Sequence, residues 1–143
     1  MAKFASPDQI FRKRVRREVA GRGLTSFMND TKWRELQSAV RSELPFCPPY
    51  QLKMLAWTRP HPETFEEDVW YLGDWSDECL QPFAGIEWLR VRPRYTVGRR
   101  RSTDTGIEDC SEAFEAILAR FQIPARADGG SYWIYGYAAG NPF

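Results

Sequence analysis

Histidine is almost absent from this 143-residue chain: the single one, His61, stands between two prolines. General acid–base and metal chemistry rely on groups that titrate near neutral pH, and histidine is the commonest of them. The cysteines form no Cys-x-x-C pair and lie far apart, at Cys47, Cys79 and Cys110. We therefore expect reduced thiols, no cofactor and no zinc or redox site, and we predict that His61 is a solvated loop residue.

Long hydrophobic runs are also absent. The longest apolar stretches span only a few residues, whereas a membrane helix needs roughly 20, and no apolar signal core follows the charged N-terminus. We expect a cytoplasmic protein without a membrane association. A chain of 143 residues with 43% hydrophobic content suffices for one core. The predicted organisation is a basic helical extension over residues 1–27 and a single domain over residues 28–143.

Aromatic residues are plentiful, with six tryptophans and six tyrosines, so binding is a better first hypothesis than catalysis. The net charge of +1 hides a strong segregation along the chain. Residues 1–28 carry seven Lys or Arg and two acids, and residues 90–101 carry six arginines and no acid. Residues 63–78, the acidic segment, carry seven carboxylates and no Lys or Arg. Three electrostatic patches are thus available.

Three helices are predicted from caps and apolar spacing. The first begins at Ser6 and Pro7, with Gln9 completing a capping box and Gly21 and Gly23 providing a stop. The second has Asp30 as N-cap and ends before a proline, with a core stripe formed by Trp33, Leu36 and Val40. The third opens at Asp109, and its apolar stripe is Cys110, Ala113, Phe114, Ile117, Leu118 and Phe121.

Four strands are predicted, at residues 50–57, 69–72, 86–97 and 132–137, from alternation and β-favouring composition. Pro93 places the third strand at an edge or indicates a bulge there, and Gly136 indicates a bulge or a close backbone approach. The predicted fold is α+β, with a mainly antiparallel sheet of about four strands covered by helices and a basic amphipathic N-terminal helix.

The acidic segment is the candidate partner-binding site. Trp75 lies among carboxylates, which is typical of an aromatic interface anchor, and Trp70 and Tyr71 extend the patch. A tryptophan in such polar company is either packed back onto the core or presented to a partner, and the second case is the candidate site. The aspartates near Trp75 accompany no electrophile, metal ligand or phosphate-binding glycine motif, so they do not favour an enzyme. The predicted partner-binding residues are Glu66, Glu67, Asp68, Trp70, Asp74, Trp75, Asp77 and Glu78.

Nucleic-acid binding through the basic patches is the alternative function. The predicted residues for it are Arg12, Lys13, Arg14, Arg16, Arg17, Arg99, Arg100 and Arg101. A further arginine face, formed by Arg90, Arg92 and Arg94 on the third strand, has two interpretations. It either holds phosphate or balances the acidic segment within the same molecule.

Three short motifs carry a resemblance to a family of small, mostly uncharacterised bacterial proteins. These are Asn29-Asp30-Thr31-Lys32-Trp33, Gly85-Ile86-Glu87-Trp88-Leu89 and Ile134-Tyr135-Gly136-Tyr137, and the similarity covers roughly residues 28–137. Members resemble the accessory and immunity proteins that accompany bacterial toxins, which implies that this chain binds and neutralises a cognate protein toxin. The basic helix before Met28 departs from the pattern, either as a lineage-specific extension or because Met28 is an alternative start.

Overall fold

The computed structural model of the chain describes residues 6–98 and 105–143. Its helices are α1 (Pro7–Arg22), α2 (Asp30–Glu43) and α3 (Ser111–Arg120), with a short 3-10 turn at Phe83–Gly85. Its strands are β1 (Thr25–Ser26), β2 (Tyr50–Met54), β3 (Ile86–Val91), β4 (Arg94–Gly98), β5 (Thr105–Asp109), β6 (Arg126–Asp128), β7 (Ser131–Tyr135) and β8 (Tyr137–Ala138). No helix in these two ranges has the length and the hydrophobicity of a membrane span.

The central element is a four-stranded antiparallel sheet in the order β2-β3-β7-β6. Strand alternation gives this sheet two different faces. Leu89 of β3 pairs with Ile134 of β7, and both are fully buried in the core with the apolar side chains of α2 and α3. Arg90 pairs with Trp133 on the opposite face, which carries the polar and aromatic residues. The predicted α+β class with an antiparallel sheet is confirmed.

The predicted caps hold for α1 and shift by one or two residues elsewhere. Ser6 and Gln9 form the capping box of α1, and Gly23 ends the helix in the left-handed conformation at φ 65°. In α2 the N-cap is Asn29 rather than Asp30, since its side chain accepts the hydrogen bond from the amide of Lys32. The predicted core stripe of α2 is buried, at Trp33, Leu36 and Val40.

Helix α3 begins at Ser111, so the prediction that Asp109 opens it is wrong. Asp109 is the last residue of β5, and its carboxylate accepts a hydrogen bond of 2.7 Å from the amide of Ser111. That bond lowers the pKa of the Asp109 carboxyl below its usual value. Ala113, assigned to the apolar stripe, is exposed, whereas Phe114 is fully buried.

The predicted strands require correction. Residues 69–72 form no strand, and residues 86–97 form two strands, β3 and β4, because Pro93 has no amide hydrogen to continue the ladder. β2 ends at Met54, three residues earlier than predicted. The short strands β1, β5 and β6 are additions that the sequence patterns did not indicate.

Gly136 lies where the backbone passes from β7 to β8. Its amide donates to the carbonyl of Glu87, and its own carbonyl accepts from the amide of Phe27, so it joins the central sheet to the β1–β8 pair. A Cβ atom at this position would lie 2.0 Å from the carbonyl oxygen of Ile86. The close backbone approach predicted for Gly136 is therefore confirmed.

The lone histidine is exposed, as predicted. Its amide and carbonyl form two 2.9 Å hydrogen bonds with Leu52 of β2, so its backbone forms an isolated bridge at the outer edge of that strand. The three cysteines are free thiols, and burial raises the pKa of Cys110 to about 11.

We predict that Gly136→Ala lowers the free energy of unfolding by about 3 kcal/mol or more, because the added Cβ collides with backbone rather than with a flexible side chain. Urea unfolding followed by circular dichroism measures the change. Gly106→Ala is the matched control, since a Cβ at Gly106 of β5 meets nothing within 4 Å. Equal losses in the two variants would contradict the packing role of Gly136.

Candidate functional site

The acidic segment crosses the arginine-bearing face of the central sheet and is anchored there by Phe65. This side chain is almost fully buried, and the guanidinium carbons of Arg90 and Arg92 lie 5.5 and 5.7 Å from its ring centroid. Cation–π contacts of this kind stabilise an arginine that has lost its water. Phe65 was not among the predicted site residues. An apolar residue within an acidic run nevertheless indicates that the run folds back onto the protein.

Carboxylates of the acidic segment pair with the guanidinium groups of the arginine face. Arg94 donates two hydrogen bonds, of 2.8 and 2.7 Å, to the carboxylate of Asp68, and Arg92 donates a third of 3.2 Å. Arg90 donates to Glu66 over 3.3 Å. Of the two interpretations of this face, the structure thus bears out internal charge balance. Asp68, predicted to bind a partner, is used within the fold.

Asp68 has a perturbed pKa with opposing causes. Burial raises the pKa of this carboxyl. The hydrogen bonds and charges of Arg94 and Arg92 together lower the pKa by more than burial raises it, so the net pKa lies below the usual value. The folded state therefore favours the ionised carboxylate. Its stabilising contribution is fully present above the unfolded pKa of about 4 and is lost as the pH falls through the lower pKa of the folded state.

Trp75 lies in the core, and the prediction that it is presented to a partner is wrong. Only 2% of its surface is exposed, and its indole nitrogen donates a 2.8 Å hydrogen bond to the carbonyl of Pro48. The ring of Tyr50 packs edge-on at 5.2 Å, and Gly73 brings the backbone against Pro48. The carboxylates next to Trp75 in sequence are exposed to solvent, whereas its indole donates a hydrogen bond to a carbonyl inside the protein.

Trp70, and not Trp75, is the exposed tryptophan of the acidic segment. Its side chain is 80% exposed, Leu72 is half-exposed, and the ring of Tyr71 lies edge-on to Trp70 at 5.9 Å. We name residues 69–72 the Trp70 loop. On one side the carbonyl of Val69 accepts from the amide of Thr96, and on the other the amide of Gly73 donates to the carbonyl of Cys47. The exposed indole is therefore held on a loop fixed at both ends.

The remaining predicted partner-binding residues differ in how far they are already engaged. Asp74 accepts from the amide of Ser76, which lowers its pKa, and Asp77 pairs with Arg41 at 2.7 Å. Glu67 and Glu78 are exposed and form no ion pair with any residue that the structure describes. These two carboxylates and the exposed Glu66 are acidic side chains of the segment that are accessible to a partner.

The predicted nucleic-acid-binding residues are divided in the same way. Arg12 pairs with Asp8 at 3.0 Å and lies 3.8 Å from Asp30, so its charge is used locally. The other four predicted residues on α1 are exposed and have no acidic partner in the described ranges: Lys13, Arg14, Arg16 and Arg17. Arg99, Arg100 and Arg101 lie outside the described residues. Within residues 6–98 and 105–143, no three His, Cys, Asp or Glu side chains converge as metal ligands.

We predict that Asp68→Asn lowers the free energy of unfolding by about 2–3 kcal/mol at neutral pH, because it leaves the nearly buried Arg92 without its carboxylate. The difference from the unaltered protein should shrink as the pH falls below about 4, where Asp68 itself becomes protonated. Urea unfolding at a series of pH values measures both effects.

Asp77→Asn is the control for this experiment, since it removes the same charge from the same segment at an exposed ion pair. We expect a change below about 0.5 kcal/mol. A pH-independent difference between Asp68→Asn and the unaltered protein would show that the carboxylate charge of Asp68 does not stabilise the fold.

Residues 15–141 match one protein family, described as Family of unknown function (DUF6678). No curated protein and no solved structure matches the chain. The match begins inside α1 and extends past β8, so it includes the central sheet, the acidic segment and the Trp70 loop. This chain therefore belongs to the DUF6678 family, whose function is unknown.

Proposed function

We propose that this protein is a non-catalytic immunity protein of the bacterial cytoplasm, which neutralises a cognate protein toxin by direct binding. The observation that carries the proposal is the 80% exposure of Trp70 on a loop whose two ends are hydrogen-bonded to the fold. Tryptophan is strongly enriched among the residues that dominate interface energies. An indole left in water by the folded monomer is what such an anchor would look like before its partner binds.

The fixed geometry of the Trp70 loop favours tight binding. A loop that must be ordered on association loses conformational entropy, which subtracts from affinity, whereas a preorganised loop loses little. The bonds at Val69 and Gly73 fix the backbone on both sides of Trp70. Asp68, immediately before the loop, is itself held by two arginines. The anchor is thus ready to insert into a pocket of a partner without rearrangement.

The charge near the loop suggests a basic partner. Glu66, Glu67 and Glu78 are exposed, and complementary potentials mainly raise the rate of association and improve partner selection. Proteins that act on nucleic acids have basic surfaces, because phosphates dominate the affinity of such complexes. A toxin that attacks nucleic acid is therefore the class of partner that suits an acidic, aromatic surface, and the free thiols of this chain suit a reducing cytoplasm.

The test begins with identification of the partner. The tagged protein is purified from its native host under mild salt, and any stoichiometric companion is identified by mass spectrometry and expressed alone. The proposal expects that the companion arrests growth and that co-expression of this chain restores it. A companion without toxicity, or toxicity that this chain does not relieve, would overturn the immunity role.

Trp70→Ala should abolish the rescue of growth and weaken binding of the purified toxin by about 2 kcal/mol or more, since it removes the anchor. Isothermal titration calorimetry measures the affinity. Trp57→Ala is the matched control, because Trp57 is a second exposed tryptophan that lies outside the acidic segment. Affinity that survives Trp70→Ala would remove residue 70 from the interface. Trp75→Ala is unsuitable as a test, since the loss of a buried indole would destabilise the fold itself.

Replacing Glu67 and Glu78 together by glutamine should slow association with the toxin and reduce its dependence on salt concentration, while leaving the dissociation rate nearly unchanged. Stopped-flow or surface plasmon resonance at several salt concentrations separates the two rates. Because both carboxylates are exposed and unpaired among the described residues, the double variant should unfold at the same urea concentration as the unaltered protein. An association rate insensitive to these changes would contradict electrostatic steering by the acidic segment.

A further inference from the structure

A cleft separates α1 from the end of β2, on a part of the molecule distinct from the Trp70 loop. Its volume is about 860 Å³, within the range of roughly 300–1,000 Å³ typical of ligand sites. The helix wall includes Arg14, Val15 and Arg17, and the opposite wall includes Lys53 and Trp57. The cleft therefore combines apolar and cationic side chains on facing walls.

The cations of this cleft fall into two groups. Lys53 and Arg22 are committed to the buried carboxylate of Glu87, at 3.3 and 2.6 Å. Arg22 also lies 3.7 Å from Glu18, the acidic residue of the cleft lining, so these two cations are balanced by two carboxylates. Arg14 and Arg17 have no acidic partner in the part of the chain that the structure describes, and both are exposed. Two uncompensated positive charges thus line one wall of the cleft.

Trp57 supplies the aromatic surface on the other wall. Its side chain is 41% exposed, and it makes no aromatic or cation–π contact with any described residue. Trp133, by contrast, is engaged on its ring: it packs against Trp88, Tyr135 and two guanidinium groups. Within residues 6–98 and 105–143, Trp57 therefore has no stacking partner, and the neighbouring Arg14 and Arg17 have no counter-charge.

We propose that this cleft binds single-stranded nucleic acid, with an unpaired base on the ring of Trp57 and the backbone phosphates on Arg14 and Arg17. A nucleotide supplies both missing partners at once, a flat π-surface and a negative charge. Proteins that bind single strands without sequence preference combine a positive groove with stacking aromatics in this way. An acidic peptide would satisfy the arginines but would not require a free aromatic face.

This second site is independent of the proposed interface with a toxin. The Trp70 loop is flanked by carboxylates, which repel phosphate, whereas the cleft lining includes Arg14 and Arg17, which pair with no acid among the described residues. Each surface therefore selects a partner of the opposite charge. The helix that was predicted to bind nucleic acid contributes only one of its faces to the cleft, and Lys13 and Arg16 lie off that face.

The test measures binding of a fluorescein-labelled single strand of about 12 thymidines by fluorescence anisotropy at low salt. Arg14→Glu/Arg17→Glu should lose tenfold or more in affinity. Lys13→Glu/Arg16→Glu is the matched control, with the same change in net charge on the same helix but outside the cleft, and should lose less than threefold. Trp57→Ala should lose about tenfold, and Trp70→Ala should bind as the unaltered protein does. Circular dichroism establishes that each variant is folded.

Three results would overturn the proposal. Equal losses in the two charge-reversal pairs would indicate diffuse attraction to α1 rather than a site in the cleft. Equal affinity for a duplex of the same length would show that no exposed base is stacked, and displacement of the strand by polyglutamate at equal charge concentration would assign the cleft to an acidic peptide. Since none of these measurements involves a toxin, their outcome is separate from that of the proposed function.

Discussion

Asp68 is shared between the guanidinium groups of Arg92 and Arg94, and the course of the acidic segment depends on this shared carboxylate. Arg92, which follows the last residue of β3, is nearly buried, and burial of an unpaired charge is too unfavourable for a stable fold. The segment must therefore return over the sheet to bring Asp68 into place. Because Val69 follows directly, the same return path directs Trp70 away from the protein and into solvent.

Charge segregation along the sequence is converted into two surfaces of opposite sign. The arginines of β3 and β4 are neutralised by the acidic segment, while the cations of α1 are mostly left without partners in the described ranges. A chain with a net charge of +1 can thus present an acidic, aromatic loop and a basic cleft at once. Each surface also has one exposed tryptophan, Trp70 on the loop and Trp57 at the cleft.

Sequence periodicity predicted the elements whose residues face a core, and it failed where tertiary contacts decide. Trp33 and Leu36 recur at helical spacing, and burial of one helix face produces that pattern. Residues 69–72 have the composition of a strand, but the carbonyl of Val69 accepts from one residue of another segment, Thr96, which no local pattern encodes. Trp75 was misassigned for the same reason: its partner, the carbonyl of Pro48, is distant in sequence.

The backbone bridge between Leu52 and the lone histidine has a consequence for solubility. β2 is an outer strand of the central sheet, and an open strand edge in an aromatic-rich protein invites pairing with another chain. His61 occupies that edge with two hydrogen bonds. The buried side-chain amide of Gln51 donates a hydrogen bond to the carbonyl of Pro62, the residue after His61. Pro60 and Pro62 have no amide hydrogens to offer a further strand, so sheet growth ends there. Histidine is the residue type most often used in catalysis, but the peptide group of His61 covers a strand edge that could otherwise pair with a neighbouring molecule.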